Sequence, residues 1–356
     1  MSITPPVAGL RETPSAHPLD LPKLQAWMQG HIDGFSGPIE VQQFAGGQSN
    51  PTFLVHSAQR RYVVRQKPLG KLLPSAHAVD REFRVLTALF GTAVPVARAF
   101  ALCEDPQVIG SSFYVMDYVE GRIFWEATLP EVAPAVRRPI YEEMVRVQAA
   151  LHSVDYEAVG LSDYGKPGGY VERQVARWTQ QYRASQTDPL DSMEKLIEWL
   201  PQRIPAGEQI SVVHGDFRLD NVIFHPSEPR ILAVLDWELS TIGNPLVDFA
   251  YYCMRYHMPE SEFKGLGGTD LKALMIPSET DSVATYCKLR GLAPVSPRDW
   301  TYYMAFCMFR LVAILQGVLA RALQGNASNS TALQTGRRAG ALADLAWSMV
   351  QESQNA

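Results

Sequence analysis

The sequence predicts a two-lobed α+β fold, with a small β-rich amino-terminal lobe and a larger, mainly helical carboxy-terminal lobe. Its 356 residues, 46% of them hydrophobic, are enough to build two cores. Three apolar segments near the start, IEVQQF, TFLVHSA and RYVVRQKP, are separated by short turn sequences, which predicts an antiparallel meander. Beyond Gly121 apolar residues recur mostly at helical spacing. The predicted boundaries are a flexible arm (1–20), the first lobe (21–118) and the second lobe (119–356).

The elements of the first lobe follow in order. Residues 1–20 are rich in proline, which favours an unstructured or loosely docked arm. LPKLQAWMQGHI has the apolar spacing of a helix, and the three strands of the meander come next. AVDREFRVLTALFG predicts a second helix with Val79, Phe83, Leu86 and Leu89 on its core side. VPVARAFALCED and SSFYVMDYVEG then predict two more strands.

The second lobe is helical over residues 131–200 and again from about 246, with short strands between 212 and 236. Its longest apolar segment, Tyr302 to Ala320, is interrupted by Arg310 and Gln316. This interruption favours a buried helix over a membrane span.

Composition excludes several classes of partner. The formal net charge of -5, with no basic stripe, argues against nucleic-acid binding. The four cysteines lie far apart and form no CxxC pair, which is typical of reduced thiols in a cytoplasmic protein. Pro and charged residues stand where a signal peptide needs an apolar run, so we expect neither export nor a membrane partner. The sequence leaves the oligomeric state open.

One stretch, VVHGDFRLDNVIFHPSEPRILAVLDWE at 212–238, concentrates polar residues around two short predicted strands. VIFH and RILAVL are joined by the turn PSEP, which predicts a hairpin with Asn221 and Asp236 at its open end and Asp216 one loop away. Taken singly, Asp216 suits a turn cap, Asn221 a bend and Asp236 a helix N-cap. The ordered set after a β-rich lobe points instead to a functional site.

The spacing of His214, Asp216 and Asn221 matches the catalytic loop H-R-D-x-x-x-x-N of protein kinases, and Asp236 stands where kinases carry a metal-binding Asp. Phosphoryl transfer needs a carboxylate near the acceptor hydroxyl and hard oxygen ligands that hold Mg²⁺ against the phosphates. The set therefore indicates a protein-kinase-like enzyme.

HGDFRLDN, LDWE and GNPLVDFAYY together resemble the aminoglycoside phosphotransferase and choline kinase superfamily of protein-kinase-like enzymes. The resemblance covers residues 38–345 and is strongest to phosphotransferases related to the kinase domain of acyl-CoA dehydrogenase fusion proteins. It implies that Asp216 is the catalytic base and that Asn221 and Asp236 bind Mg²⁺. It gives His214 a bracing role in the catalytic loop. Asp248, at the start of a helix, is expected to steady that loop.

A nucleotide site is predicted in the first lobe. In AGGQSNP, Gly46 and Gly47 would let backbone N–H groups approach phosphate oxygens. Ser49 and Asn50 of the same loop belong to the same candidate set. The superfamily commonly has such a turn here, although an ordinary hairpin turn has the same composition.

The predicted phosphate-binding cation is Arg65, on the strand where protein kinases carry Lys, with Glu82 as its partner. Lys67 lies two residues on and faces the same side, so it is the rival. A short extended connector near residues 116–121 is expected to join the lobes. Its backbone groups near Asp117 and Tyr118 should face adenine, with Met116 and Val119 around the ring.

The acceptor side is less specific. Residues 241–356 hold nine Asp and Glu against ten Lys and Arg, a balance that disfavours a polycationic acceptor. Arg310 lies alone in its apolar helix, so it pairs either with an internal carboxylate or with an anionic group of the acceptor. Glu238 either approaches a second metal or faces solvent.

The sequence thus predicts an ATP- and Mg²⁺-dependent kinase acting on a hydroxyl of a small molecule. The nearest subfamily implies a hydroxyacyl-CoA or hydroxy acid as that acceptor. Two alternatives remain: an aminoglycoside, choline-type or sugar kinase, and a nucleotide-binding pseudokinase.

Overall fold

The computed structural model describes residues 10–12, 19–44, 50–69, 78–324 and 332–355. The chain divides into two compact units. The first comprises Met1–Arg122, Val159–Leu161 and Val222–Glu238, and the second comprises Ile123–Ala158, Ser162–Asn221 and Leu239–Ala356. The predicted boundary between the lobes is residue 118, with residues 222–238 in the second lobe. The division into compact units ends the first stretch of the first unit at Arg122 and groups Val222–Glu238 with that unit.

The described strands are β1 (Leu10–Glu12), β2 (Glu40–Phe44), β3 (Thr52–His56), β4 (Arg61–Gln66), β5 (Ala99–Cys103), β6 (Phe113–Asp117), β7 (Ser211–Val213), β8 (Val222–Phe224), β9 (Ile231–Val234) and β10 (Thr241–Gly243). The described helices are α1 (Leu21–His31), α2 (Val79–Leu89), α3 (Pro106–Ile109), α4 (Pro134–His152), α5 (Tyr170–Ser185), α6 (Asp191–Trp199), α7 (Pro245–Cys253), α8 (Glu260–Phe263), α9 (Leu271–Leu274), α10 (Glu279–Arg290), α11 (Pro297–Leu323), α12 (Ala332–Gly336) and α13 (Ala339–Asn355).

The first unit is built on a six-stranded sheet in the order β1-β2-β3-β4-β6-β5, with antiparallel neighbours throughout. The predicted meander β2-β3-β4 is confirmed. Within the predicted arm, Leu10–Glu12 forms β1, which pairs with β2 through Leu10↔Phe44. That pairing satisfies backbone groups along one side of β2, which apolar periodicity alone does not reveal.

Helix α2 buries Val79, Leu86 and Leu89 as the sequence predicts, whereas Phe83 is only partly buried. Glu82 occupies the same buried face and is 2% exposed. A carboxylate almost never lies that deep without a partner. This position therefore requires a cation nearby.

The β8–β9 hairpin belongs to the first unit because backbone contacts tie it there. Val222 pairs with Val234, and Arg122 exchanges two 2.8 Å backbone hydrogen bonds with Phe224. Val234 N donates to the carbonyl of Pro95 at 2.9 Å. These bonds explain why residues 222–238 belong to the first unit, although the residues directly before them in the chain, 162–221, belong to the second.

The second unit packs its helices around α11, which contacts α5, α7 and α13. Most of α11 is buried, and its apolar residues surround the helix rather than forming one stripe. By length and composition α11 is a candidate membrane span, but 78% of its most apolar window is buried inside the protein. The sequence prediction of a buried core helix is confirmed. The small antiparallel sheet and mostly helical remainder are those of a kinase-like fold.

Two glycines of the first unit test how tightly the hairpin is held. A Cβ at Gly121 would lie 2.2 Å from the Phe224 carbonyl oxygen, whereas a Cβ at Gly30, inside α1, meets nothing within 4 Å. We expect Gly121→Ala to lower the free energy of unfolding by about 1–3 kcal/mol. Gly30→Ala, the matched control, raises it by about 0.5–1 kcal/mol. Urea unfolding followed by circular dichroism measures both, and a Gly121→Ala protein as stable as wild type contradicts the packing described.

Candidate active site

The catalytic-loop sequence starts at His214, directly after β7, and ends in the 3-10 turn Leu219–Asn221. Gly215 has φ of +84°, and a Cβ there would lie 2.8 Å from the Leu239 carbonyl oxygen. Only glycine combines that backbone angle with that close approach. The glycine lets the chain turn so that the Asp216 side chain, 20% exposed, remains accessible while His214 is fully buried.

Asp248 anchors this loop from α7. Asn244 caps the helix by accepting from the backbone of Leu246 and Val247, which places Asp248 in the first turn. The Asp248 carboxylate accepts the amides of His214, at 3.0 Å, and Gly215, at 2.7 Å. The steadying contact predicted from the sequence is therefore observed.

Two residues of α4 support Asp248, and sequence reasoning missed both. His152 Nε2 lies 3.1 Å from Asp248 Oδ2 and its Nδ1 lies 2.6 Å from the Tyr286 hydroxyl, while Gln148 donates to the Asp248 carbonyl at 2.9 Å. Gln148 and His152 are polar residues spaced four apart in the apolar stretch VQAALHSV, hence on one helix face. That spacing was the available signal.

Burial and hydrogen bonding oppose each other in this cluster. Burial alone would raise the pKa of Asp248, but the hydrogen bond and charge of His152, with the field and backbone amide of His214, lower it to about 2. Burial lowers the pKa of His152 more than Asp248 raises it. At neutral pH the carboxylate is therefore ionised and the imidazole neutral.

Asp216 is held through both of its carboxylate oxygens. The Tyr251 hydroxyl donates to Oδ1 at 2.8 Å, and the Asn221 amide nitrogen donates to Oδ2 at 3.0 Å and to the Asp216 carbonyl at 2.9 Å. The amide oxygen of Asn221, the atom that a hard cation prefers, takes no part in these bonds. His214 Nδ1 accepts the Asp216 amide at 3.2 Å, a contact in keeping with a bracing role. Arg218 Nε lies 3.3 Å from Oδ1.

Arg310 has no carboxylate within ion-pair distance in the part of the chain that the structure describes. Its Nη2 donates instead to the Gly215 carbonyl at 2.9 Å. The guanidinium lies 5.2 Å from the Tyr251 ring centroid and 5.5 Å from that of Trp178, while Nε has no hydrogen-bond partner. Of the two expected arrangements, the internal carboxylate pair is not the one observed.

In the first unit, Arg65 lies among three carboxylates. Its Nε lies 2.7 Å from Glu82 Oε2, an ion pair in which the N–H does not point directly at the oxygen. Its Nη2 donates to Asp236 Oδ1 at 2.7 Å and lies 3.9 Å from Glu238. Burial would lower the pKa of Arg65, but the surrounding negative charge outweighs burial and raises it. The pairing with Glu82 expected from sequence is observed, and no such ion pair is found for Lys67 among the described residues.

Asp236 combines an unusual backbone with an accessible side chain. Its φ is +62°, a left-handed conformation that is uncommon outside glycine, and its side chain is 35% exposed. Such conformations persist where surrounding contacts impose them and often mark functional sites. Over the described ranges, no group of three or more His, Cys, Asp or Glu could hold a metal ion. A Mg²⁺ site here would thus depend on few protein ligands, as is usual where phosphates complete the shell.

Of the predicted phosphate-loop residues, the structure describes only Asn50. Gly46, Gly47 and Ser49 lie outside the described residues. Asn50 is fully buried and donates to Glu82 Oε1 at 2.7 Å, so its amide braces the carboxylate that pairs with Arg65. This contact directs it into the core.

In the connector, Met116 lies in β6 between β4 and β5. The Asp117 amide donates to the Arg98 carbonyl at 2.9 Å and the Tyr118 amide to the Arg61 carbonyl at 3.4 Å. Both amide donors are therefore occupied within the first unit.

The chain is similar to proteins of a known family. Residues 40–267 match the model of the family described as "Phosphotransferase enzyme family". The chain belongs to this family. Acyl-CoA dehydrogenase family member 10 of Mus musculus is 46% identical over 327 residues, which are 91% of this chain and 30% of that protein. The chain thus spans less than half of the length of the curated relatives it matches.

Solved phosphotransferases share the fold. A putative aminoglycoside phosphotransferase from Ralstonia eutropha is 49% identical, with a TM-score of 0.88 and coverage of 94% of this chain and 99% of that one. Choline kinase from Cryptosporidium parvum matches at 14% identity with a TM-score of 0.61, covering 94% of this chain and 97% of its own. The resemblance to the aminoglycoside phosphotransferase and choline kinase superfamily is confirmed.

The neutral, buried His152 makes stability depend on pH. In the unfolded chain a histidine gains a proton near pH 6.5. In the folded protein the pKa of His152 is lower, so its ring gains a proton only at a lower pH. The contribution of His152 to the free energy of unfolding is therefore complete above pH 6.5 and lost as the pH falls, by at most about 1.36 kcal/mol per pH unit. The Asp248 contribution is lost only in stronger acid.

We expect urea unfolding between pH 7.5 and 5.5 to show this loss in wild type and a shallower slope in His152→Gln. The matched control is His31→Gln, on an exposed side chain at the end of α1, which keeps the wild-type slope. Equal slopes for wild type and His152→Gln contradict the assigned protonation state.

Proposed function

We propose that this protein is an ATP- and Mg²⁺-dependent phosphotransferase that acts in the cytoplasm on the hydroxyl of a small acidic metabolite, a hydroxy acid or hydroxyacyl-CoA. The observation that carries the proposal is Asp216, a carboxylate fixed through both oxygens at the catalytic position of this family's loop motif. The proposed base, Asp216, and the proposed metal ligands, Asn221 and Asp236, are all present, which argues against the pseudokinase alternative.

In the proposed reaction, Asp216 orients the acceptor hydroxyl and takes its proton. The acceptor oxygen forms a bond to the γ-phosphorus of ATP as the bond from that phosphorus to the β,γ-bridging oxygen breaks, and ADP leaves. Phosphoryl transfer has a loose transition state, so positioning and charge stabilisation contribute most of the catalysis. The contacts that immobilise Asp216 serve this requirement.

Asn221 and Asp236 are the proposed Mg²⁺ ligands, through the amide oxygen of the first and the carboxylate of the second. When bound, Mg²⁺ neutralises phosphate charge. Asn221 is bonded to Val222, whose strand partner Val234 lies two residues before Asp236. Glu238, 3.9 Å from Arg65, is the proposed source of negative charge near a second cation.

Arg65 is the proposed phosphate ligand of the first unit. Three carboxylates surround the single positive charge of Arg65. A cation that arrives with the nucleotide would offset the excess negative charge. The Asp236 carboxylate would then bind that cation in place of Arg65. The forked guanidinium suits phosphate oxygens. Gly46 and Gly47 remain proposed contacts for the phosphates, and Met116, Asp117 and Tyr118 remain proposed contacts for the base.

The acidic acceptor is argued from Arg310. This cation has no carboxylate partner in the described chain, and it lies against Tyr251, which contacts Asp216. An acceptor carboxylate or thioester oxygen would supply a partner, whereas a quaternary amine or polyamine would meet repulsion. The named relatives are acyl-CoA dehydrogenase family members, which favours an acyl group on the acceptor.

The acceptor is tested by ADP release with matched compounds: a hydroxy acid, its uncharged amide, a hydroxyacyl-CoA, choline and an aminoglycoside. We expect the hydroxy acid to raise ADP release at least about tenfold more than its amide. Only the carboxylate brings a charge of its own to the guanidinium, and hydrogen bonds to charged groups contribute about 1.5–3 kcal/mol. Asp216→Asn, the catalytic control, should lower the acceptor-dependent rate by about 10²- to 10⁴-fold. Stimulation by choline or the aminoglycoside alone overturns the acceptor class, and no stimulation by any compound overturns the phosphotransferase proposal.

The assignment of Arg65 predicts unequal losses of ATP affinity. In calorimetric titrations with Mg²⁺ present, Arg65→Ala should weaken ATP binding by about 10- to 100-fold, the value of a charge-assisted hydrogen bond. Lys67→Ala, at the residue that follows the end of β4, should change it by less than about threefold. Arg65→Ala leaves Glu82 buried without its cation. Arg65→Lys is therefore measured as well, because lysine keeps the positive charge but lacks the two-pronged donor geometry of the guanidinium. The reverse ranking transfers the role to Lys67.

A further inference from the structure

We propose that Tyr251 is a positioning residue for phosphoryl transfer, whose hydroxyl fixes the catalytic carboxylate of Asp216. This inference rests on the proposed function, since it assigns Tyr251 to the same site. The hydroxyl donates to Asp216 Oδ1 at 2.8 Å. Nothing in the H-x-D-x-x-x-x-N motif points to it, because Tyr251 lies 35 residues beyond Asp216 in the chain.

The helix that carries Tyr251 is already bound to the catalytic loop. Asp248 precedes Tyr251 by three residues on α7 and so lies on the same helix face, one turn away. On this face of α7, Asp248 accepts hydrogen bonds from the backbone amides of His214 and Gly215. Tyr251 donates a hydrogen bond to the side chain of Asp216. The Tyr251 hydroxyl is thus placed by the element that sets the loop backbone.

Arg310 fixes the Tyr251 ring from the other side. Its guanidinium lies 5.2 Å from the ring centroid, within the range of a cation–π contact, while its Nη2 holds the Gly215 carbonyl at 2.9 Å. Burial, and after it the charge of Asp216, raises the pKa of Tyr251, so the hydroxyl keeps its proton and remains a donor. Ring and hydroxyl therefore have one orientation relative to the loop.

The other contacts of Asp216 cannot replace this one. Asn221 holds Oδ2 only. Arg218 approaches Oδ1 at 3.3 Å, but its side chain is 47% exposed and also contacts Asp220 at 3.1 Å. Without the Tyr251 hydroxyl, Oδ1 would depend on a solvent-exposed arginine, and the carboxylate would be free to rotate toward it. Small displacements of a catalytic group lower the rate while leaving nucleotide binding intact.

The experiment is a double-mutant cycle on the full chain: wild type, Tyr251→Phe, Asp216→Asn and the double variant, assayed by acceptor-dependent ADP release. We expect Tyr251→Phe to lower kcat by about 10- to 100-fold, the effect of one hydrogen bond to a charged group, with KM for ATP changed by less than about twofold. In the Asp216→Asn background the same substitution should cost less than about twofold, since Tyr251 acts through that carboxylate.

Tyr252→Phe is the matched control. It removes a hydroxyl from the next residue of the same helix. That buried oxygen has no hydrogen-bond partner among the described residues, so kcat should stay at the wild-type value. Equal fold-losses from Tyr251→Phe in both backgrounds, or an equal loss from Tyr252→Phe, would overturn the positioning role and indicate general destabilisation of α7. An unaffected Tyr251→Phe enzyme overturns it while leaving the phosphotransferase intact. A wild type inactive with every acceptor overturns both.

Discussion

The loop that begins at His214 depends on its contacts with the buried carboxylate of Asp248. An ionised group in a protein interior is tolerated only when donors replace the water it has lost. Asp248 receives them from the backbone of His214 and Gly215 and from the ring of His152. The same bonds that keep the carboxylate charged also determine the path of the catalytic loop, so electrostatic stability and loop geometry cannot be altered separately.

A second buried charge organises the first unit in a different way. Arg65 and Glu82 neutralise each other between β4 and α2, and Asn50 donates to the same carboxylate, which links the sheet to the helix. The arginine also reaches Asp236, at the end of the hairpin. A single guanidinium on β4 thereby contacts carboxylates from two other segments, helix α2 and the end of the hairpin.

The sequence predicted those parts of the molecule in which order along the chain determines position. The meander, α2, the buried α11 and the spacing of Asp216 and Asn221 are local patterns, and so is the facing of Arg65 toward an acidic helix. It did not predict contacts that depend on which distant segments meet. Periodicity assigned His152 and Tyr251 to helices, but it could not reveal that both face the catalytic loop, and the transfer of the hairpin to the first unit follows from bonds to Arg122 and Pro95.

Arg310 lies thirteen residues from each end of the 27-residue helix Pro297–Leu323, at its midpoint. Before the protein folds, this segment is long and apolar enough to be taken for a membrane anchor. Arginine at the centre of such a segment costs about 2.5–3.5 kcal/mol on insertion into a bilayer, more than several leucines contribute in favour. The residue that holds the Gly215 carbonyl in the folded enzyme thus also disfavours diversion of the newly made chain into a lipid bilayer.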